Sequence, residues 1–271
     1  MIPLQFALRR RMMMANNNKV TFLYTGNCDI QDNCLKLLSS GTLIFNHSTV
    51  CDIFLVGGGG GGGLCQSKYV YGSNIDSTVV ASGGGGGGGY TRTELNIQFV
   101  KNVANTVSIG AGGAPAAQGG VTSIGVISAD GGYPGGGGKA ASHAVTGSGG
   151  NGGSGGGVGY GYQNRSDEYI VNASRGGTDG NKGGSANSTN YVSPGTPGNG
   201  QGTTTRLFGK TDSELFSSGG HGGKKLGSVT NALDNTGNGG DGGNQSHRQG
   251  AYGGSGIAIL RFPEGTTITR Q

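Results

Sequence analysis

The chain has 271 residues, of which 64 are glycine and only 12% are charged, with a formal net charge of +5. Glycine has no side chain to bury and loses the most backbone entropy on folding, so with 32% apolar residues and no tryptophan an ordinary oily core is excluded for most of the chain. Compact apolar runs between the glycines, together with the low charge, exclude general disorder, and no stretch is long enough to span a bilayer as a helix.

Residues 1–18 read as a flexible or partner-bound arm that holds Arg9, Arg10 and Arg11 and ends in Asn16, Asn17 and Asn18. No aromatic-interleaved basic stripe follows, so nucleic-acid binding is not expected. The arginines follow the short apolar start instead of preceding it, which is not the order of an export signal. Residues 19–56 carry strand signals at 20–24, 35–38, 42–45 and 50–56, separated by Gly26-Asn27 and Ser39-Ser40-Gly41. The run 50–56 is apolar on both faces, so it is expected to be covered on both sides.

Two pure glycine tracts follow, at 57–63 and 83–89, flanking a polar, tyrosine-bearing excursion at 64–82. Runs at 93–100 and 106–109 are expected to form a hairpin around Asn102. From 110 to 256 short glycine clusters alternate with polar inserts. A last strand at 257–262 stops at Pro263, and 263–271 reads as a polar tail. No segment shows a helical apolar period, so α-helix should be almost absent. The expected organisation is an arm (1–18), a β-strand region (19–56), a glycine-rich bundle with loop inserts (57–262) and a tail (263–271).

The tracts are too pure for flexible linkers and lack the Gly-X-Y register of collagen. A left-handed extended helix with three residues per turn suits them. It forms no internal hydrogen bonds, so every N–H and C=O is free to bond a neighbouring helix. Adjacent axes approach closely only where no Cβ intervenes, which makes Gly57, Gly60, Gly63, Gly83, Gly86 and Gly89 scaffold positions. The expected fold is mainly irregular and β: a bundle of polyglycine II helices bordered by strands.

Residues 53–56 running into glycines superficially match a strand entering a dinucleotide-binding turn, with Asp76 near the expected acidic offset. That motif needs a helix after the glycines, and the residues from Leu64 onward form no amphipathic pattern. No tract ends in Gly-Lys-Ser/Thr, so a phosphate loop is not expected either. His47, His143, His221 and His247 are scattered without a nucleophile nearby. Cys28, Cys34, Cys51 and Cys65 lack metal-ligand spacing and read as free thiols, with a Cys28–Cys34 bridge as the alternative. No enzymatic activity, cofactor or metal is expected.

The tyrosines carry more information. Tyr160, Tyr162 and Tyr169 share one insert with Asn164 and Arg165, and Tyr191 lies in the next. Flat rings beside adaptable hydrogen bonders suit recognition of a sugar or protein surface; packing over the bundle end is the other reading.

Residues 52–56 entering the first tract, the second tract followed by Tyr90-Thr91, and the segment 107–113 together resemble a glycine-rich domain. So do 200–206 and the closing 253–259. That domain occurs in tail-fibre and adhesin-like proteins of phages and prophages of gut bacteria. More distantly the chain is similar to the polyglycine-sandwich adhesins of T-even-type phages and to the glycine-rich domain of anaplastic-lymphoma-kinase-type receptors. The resemblance implies a polyglycine II bundle with variable loops at its end. It also implies a virion location, fibre subunits as partners in an oligomeric assembly, and a host-surface glycan or protein as receptor. A purely architectural fibre or decoration subunit is the alternative.

Overall fold

Phe54 and Val56 alternate along one strand with Cys51, Ile53 and Leu55, and in the computed structural model each set meets its own core. The structure describes residues 19–70, 77–141, 144–163, 191–192, 205–210 and 212–271. In chain order the strands begin with β1 (Lys19–Tyr24), β2 (Cys28–Gln31), β3 (Cys34–Leu37), β4 (Gly41–Phe45) and β5 (Thr49–Val56). After the first tract come β6 (Gln66–Val70) and β7 (Ser77–Ala81), and after the second β8 (Thr91–Phe99) and β9 (Ala104–Ser108). The remainder are β10 (Thr122–Ile124), β11 (Ile127–Ala129), β12 (Lys139–Ala140), β13 (Ala144–Val145), β14 (Gly161–Gln163), β15 (Tyr191–Val192), β16 (Ile257–Arg261) and β17 (Thr267–Arg270). Among the described residues the only helical piece is one 3-10 turn, Leu207–Gly209. The fold is therefore mainly β and irregular.

Eleven strands form a sandwich. One sheet runs β11-β10-β9-β4-β1-β17 and the other β2-β3-β16-β5-β8. Their inner faces enclose Phe22, Leu43 and Phe45 from one sheet and Leu35, Leu37, Ile53, Leu55 and Leu260 from the other. Phe45 sits at the centre, with ring centroids 5.1 Å from Phe99 and 6.0 Å from Phe262. The outer face of the five-stranded sheet is also covered. There Phe54, Val56, Ile257 and Ile259 pack against Phe216, Leu207 and Phe208.

This arrangement corrects several sequence expectations. Residues 19–56 are not a separate region, because β8 to β11, β16 and β17 complete the same sandwich. Residues 263–271 are not a free tail: β17 pairs in parallel with β1, and the Gln271 N–H donates to Phe22 O at 2.9 Å. The runs around Asn102 form no hairpin. β8 pairs with β5, whereas β9 lies between β4 and β10 in the opposite sheet. Asn102, at φ 58°, turns the chain from one sheet to the other, and its N–H donates to Phe45 O.

The bundle grows out of the sandwich. β5 continues into 57–63, which ends at β6; β7 continues into 83–89, which returns to β8. At the far end a third sheet, β15-β14-β7-β6, and the β12–β13 pair close the bundle over Val79, Ala81 and Ala144. At the other pole, Lys19, Val20 and Thr21 share a cavity with 46–49, the turn that starts β5. The two poles lie about 50 Å apart, from roughly 3.3 Å per residue of β5 and roughly 3.1 Å per residue of the tract.

One ion pair ties the central strands. Arg261 lies opposite Asp52 in register, with Nη2 2.7 Å from Oδ2, and the other carboxylate oxygen accepts the Asn96 N–H at the bulge in β8. Burial alone would raise the Asp52 carboxyl, but the guanidinium and the Asn96 N–H outweigh it and hold it below its ordinary value. A carboxyl lowered in the folded state adds stability above its unfolded pKa and loses it as pH falls through the folded value. Asp52→Asn should therefore lower stability by about 1–2 kcal/mol at pH 7. Urea melts of the two proteins should converge as pH falls below about 4.

Candidate functional site

The hydrogen-bond partners of 57–63 recur every third residue. The N–H groups of Gly57, Gly60 and Gly63 donate to Tyr90, Gly87 and Gly84 at 2.8–2.9 Å. Those of Gly58 and Gly61 go to Gly120 and Ala117, and those of Gly59 and Gly62 to Gly254 and Ala251. The carbonyls of the same tract accept from three further segments: Gly132 and Gly135, Gly113 and Ala116, and Gly240 and Gly243. Three neighbours receive and three donate, so the tract is the centre of six. A helix with three residues per turn and radiating N–H and C=O groups is polyglycine II.

The second tract repeats the pattern. It donates to 237–243, 130–136 and 154–157, and accepts from 57–63, 220–223 and 147–153. Every residue of both tracts is buried. A Cβ on Gly60 would overlap the Tyr133 carbonyl, one on Gly63 that of Gly136, and one on Gly57 that of Asp130. Likewise Gly83, Gly86 and Gly89 face the carbonyls of Gly63, Gly60 and Gly57. Both tracts thus form the interior of a hexagonally packed bundle whose core is backbone.

The outer helices have a free side, and there the sequence becomes Gly-Gly-X. Ser218, His221 and Lys224 occupy successive X positions on one ridge, Asn238 and Asp241 on the next, Tyr252 and Ser255 on a third. An outward N–H has no helix beside it, and side chains of neighbouring segments take that place. Asn238 Oδ1 accepts the Ser218 N–H at 2.8 Å, and the two oxygens of Asp241 accept the N–H groups of His221 and Thr230. Asn231 and Asp234 do the same for Tyr252 and Ser255. The Gly-Gly-X triplets carried this information in the sequence, as a three-residue period with one polar position per turn.

The family model described as a glycine-rich domain matches residues 38–263. The chain belongs to that family. No curated protein matches it. The matched span of this glycine-rich domain reaches from just past β3 to just past β16, and so takes in both tracts and most of the sandwich.

The sequence-predicted contact residues divide. Tyr160 is 8% exposed; its carbonyl accepts the Ser82 N–H and its own N–H donates to Gly223 O. It is a packing residue at the distal end of the glycine-rich domain, which corrects its assignment to a contact surface. Tyr162 and Tyr191 are brought together as cross-strand partners in β14 and β15. Asn164, Arg165 and Tyr169 lie outside the described residues, as do the arm 1–18, Tyr71, Asp76, His143 and most of 200–206. The strands flanking 164–190 both belong to the distal sheet. Tyr133 and Tyr252, not singled out in the sequence, stand at outward X positions and are about half exposed.

After the first tract the chain passes through Leu64 and Cys65 directly into β6, with no helix to receive a dinucleotide phosphate. His47, His221 and His247 are exposed on separate elements. Among the described residues no three His, Cys, Asp or Glu side chains gather as a metal cluster. All four cysteines are free thiols. Burial raises Cys34 and Cys65, and pushes Cys51 up to about 12, with the Asp52 charge adding to the effect.

Two measurements follow from this geometry. Gly60→Ala should abolish folding, because its Cβ meets backbone on a helix held by others. Gly137→Ala, whose nearest atom is 3.8 Å away, should melt within about 0.5 kcal/mol of the parent. Thiol labelling at pH 8 should leave Cys51 at least about a hundredfold slower in the native protein than in urea, since only the thiolate reacts.

Proposed function

We propose that this glycine-rich domain is a non-enzymatic structural protein of a phage virion. In this reading it is a tail-fibre or tail-tip component that presents a host-binding surface from a rigid polyglycine scaffold. The observation that carries the reading is polarity. The arm 1–18 joins at Lys19 on one pole, and the strands that flank 164–190 stand at the other, with a bundle of fixed helices between them. Attachment at the first pole and recognition at the second are then mechanically separate.

A scaffold built this way loses little entropy on contact, because its loop bases are already fixed. Ring stacking and a few hydrogen bonds give modest affinity per copy, and several copies on one particle raise it through avidity. The partners are other fibre subunits at the arm and a host-surface glycan or protein at the distal pole. Burial of Tyr160 supports a second reading, a purely architectural subunit, since it removes one ring from the contact surface.

Replacing 164–190 with a short Gly-Ser linker separates the two. The expected result is that the intact chain binds bacterial cells and that the replacement loses this binding with unchanged melting; an intact chain that binds no cells would leave the architectural reading. Removing 1–18 should keep both folding and cell binding but abolish incorporation into particles.

A further inference from the structure

Beside the pole where the arm joins, the outer face of the five-stranded sheet carries a cavity of about 390 Å³. Six polar side chains line it: Asn33 between β2 and β3, Asp52 of β5, Asn96 at the β8 bulge, Arg261 of β16, Lys210 after the 3-10 turn, and Glu264 beyond β16. Val50 and Pro263 add an apolar wall. A volume near the lower end of the usual range for ligand sites, about 300–1,000 Å³, holds one or two small rings.

The wall is built and held. Arg261 Nε and Nη2 both donate to Asp52 Oδ2, at 3.2 and 2.7 Å, and its guanidinium carbon lies 4.0 Å from the centroid of the Phe208 ring. Phe208 itself is kept at φ 51°, where a bulky L residue is strained. Such strain persists only where the surroundings over-determine it, and it concentrates at ligand sites. Asn96, at φ 56°, is another left-handed residue on the rim.

Asp52 and Asn33 are already hydrogen-bonded, but part of the capacity at the cavity is unspent. Arg261 Nη1, Lys210 Nζ, the Asn96 amide and the Glu264 carboxylate have no partner among the described residues. Lys210 and Arg261 oppose Asp52 and Glu264, so the charges cancel and neither an anion nor a cation is favoured overall. What fits is a neutral ligand that donates and accepts at several points and has an apolar face. The geometry points to a saccharide site here, taking one or two rings of a neutral or N-acetylated oligosaccharide. This goes beyond the distal surface, and the two stand or fall separately.

The full chain would be applied to a printed array of neutral, N-acetylated and acidic oligosaccharides, and the strongest ligand titrated calorimetrically. Asn96→Gly suits the left-handed backbone and removes only the amide; Lys210→Ala removes the ammonium. Each should weaken binding about 3- to 10-fold with unchanged melting. Replacement of 164–190 should leave that affinity intact. The site is refuted by no binding on the array, by preference for acidic sugars, or by wild-type affinity in both variants. If sugar binding disappears with 164–190 while Asn96→Gly binds normally, the distal surface stands and this cavity does not. Cell binding without any sugar binding likewise overturns the cavity and leaves the distal surface standing.

Discussion

Backbone N–H···O=C bonds between helices with no side chain between them are the constraint on which the rest of this molecule depends. Each such bond adds a net of about 0.5–1.5 kcal/mol, while ordering a residue costs about 1–2 kcal/mol. The bundle alone therefore falls short of balance. The Cα–H groups, free to approach carbonyls, add a smaller share. The surplus comes from the apolar cores to which the tracts are joined, with Phe45 at the centre of the sandwich and Val79 and Ala81 at the distal sheet. Sandwich and bundle are one cooperative structure for this reason.

The junctions between them are abrupt and need little rearrangement. β5 becomes a polyglycine helix at Gly57 without a loop, and β16 emerges from one after Gly256. Strand and polyglycine II geometries share nearly the same ψ and differ by about 50–65° in φ, so a small rotation changes the period from two residues to three. Side chains decide where it happens. Up to Val56 the chain has apolar groups to place in two cores; from Gly57 it has only backbone to offer.

Much of this was legible in the sequence. Strands β1, β3, β4, β5 and β16 declared themselves by apolar runs next to turn residues, and the two tracts by their purity. The partnership of strands was not legible. β8 and β9 are near neighbours in sequence yet belong to opposite sheets, because Asn102 takes a left-handed turn that sequence spacing cannot distinguish from a hairpin. β17 was hidden for another reason. Thr267–Arg270 has one buried apolar residue, Ile268, and pairs with a strand more than two hundred positions earlier. In the candidate site, scaffold glycines could be picked out by composition, whereas Tyr160 looked like any other tyrosine beside a glycine run. Its backbone bonds to Gly223 and Ser82 join segments that only the fold brings together.

The backbone interior also shapes the response to temperature. Heat capacity rises on unfolding when apolar surface meets water and falls when polar surface does. A sandwich core contributes the first kind; a hexagonal array of peptide groups contributes a large amount of the second. The heat-capacity increment per residue is accordingly smaller than the roughly 12–15 cal/mol/K of ordinary domains, and the stability curve is flatter. Cooling weakens hydrophobic burial, yet it leaves the peptide lattice around residues 57–63 and 83–89 nearly untouched. A protein held together in this way keeps its shape over a wider span of temperature than its modest apolar content alone would allow.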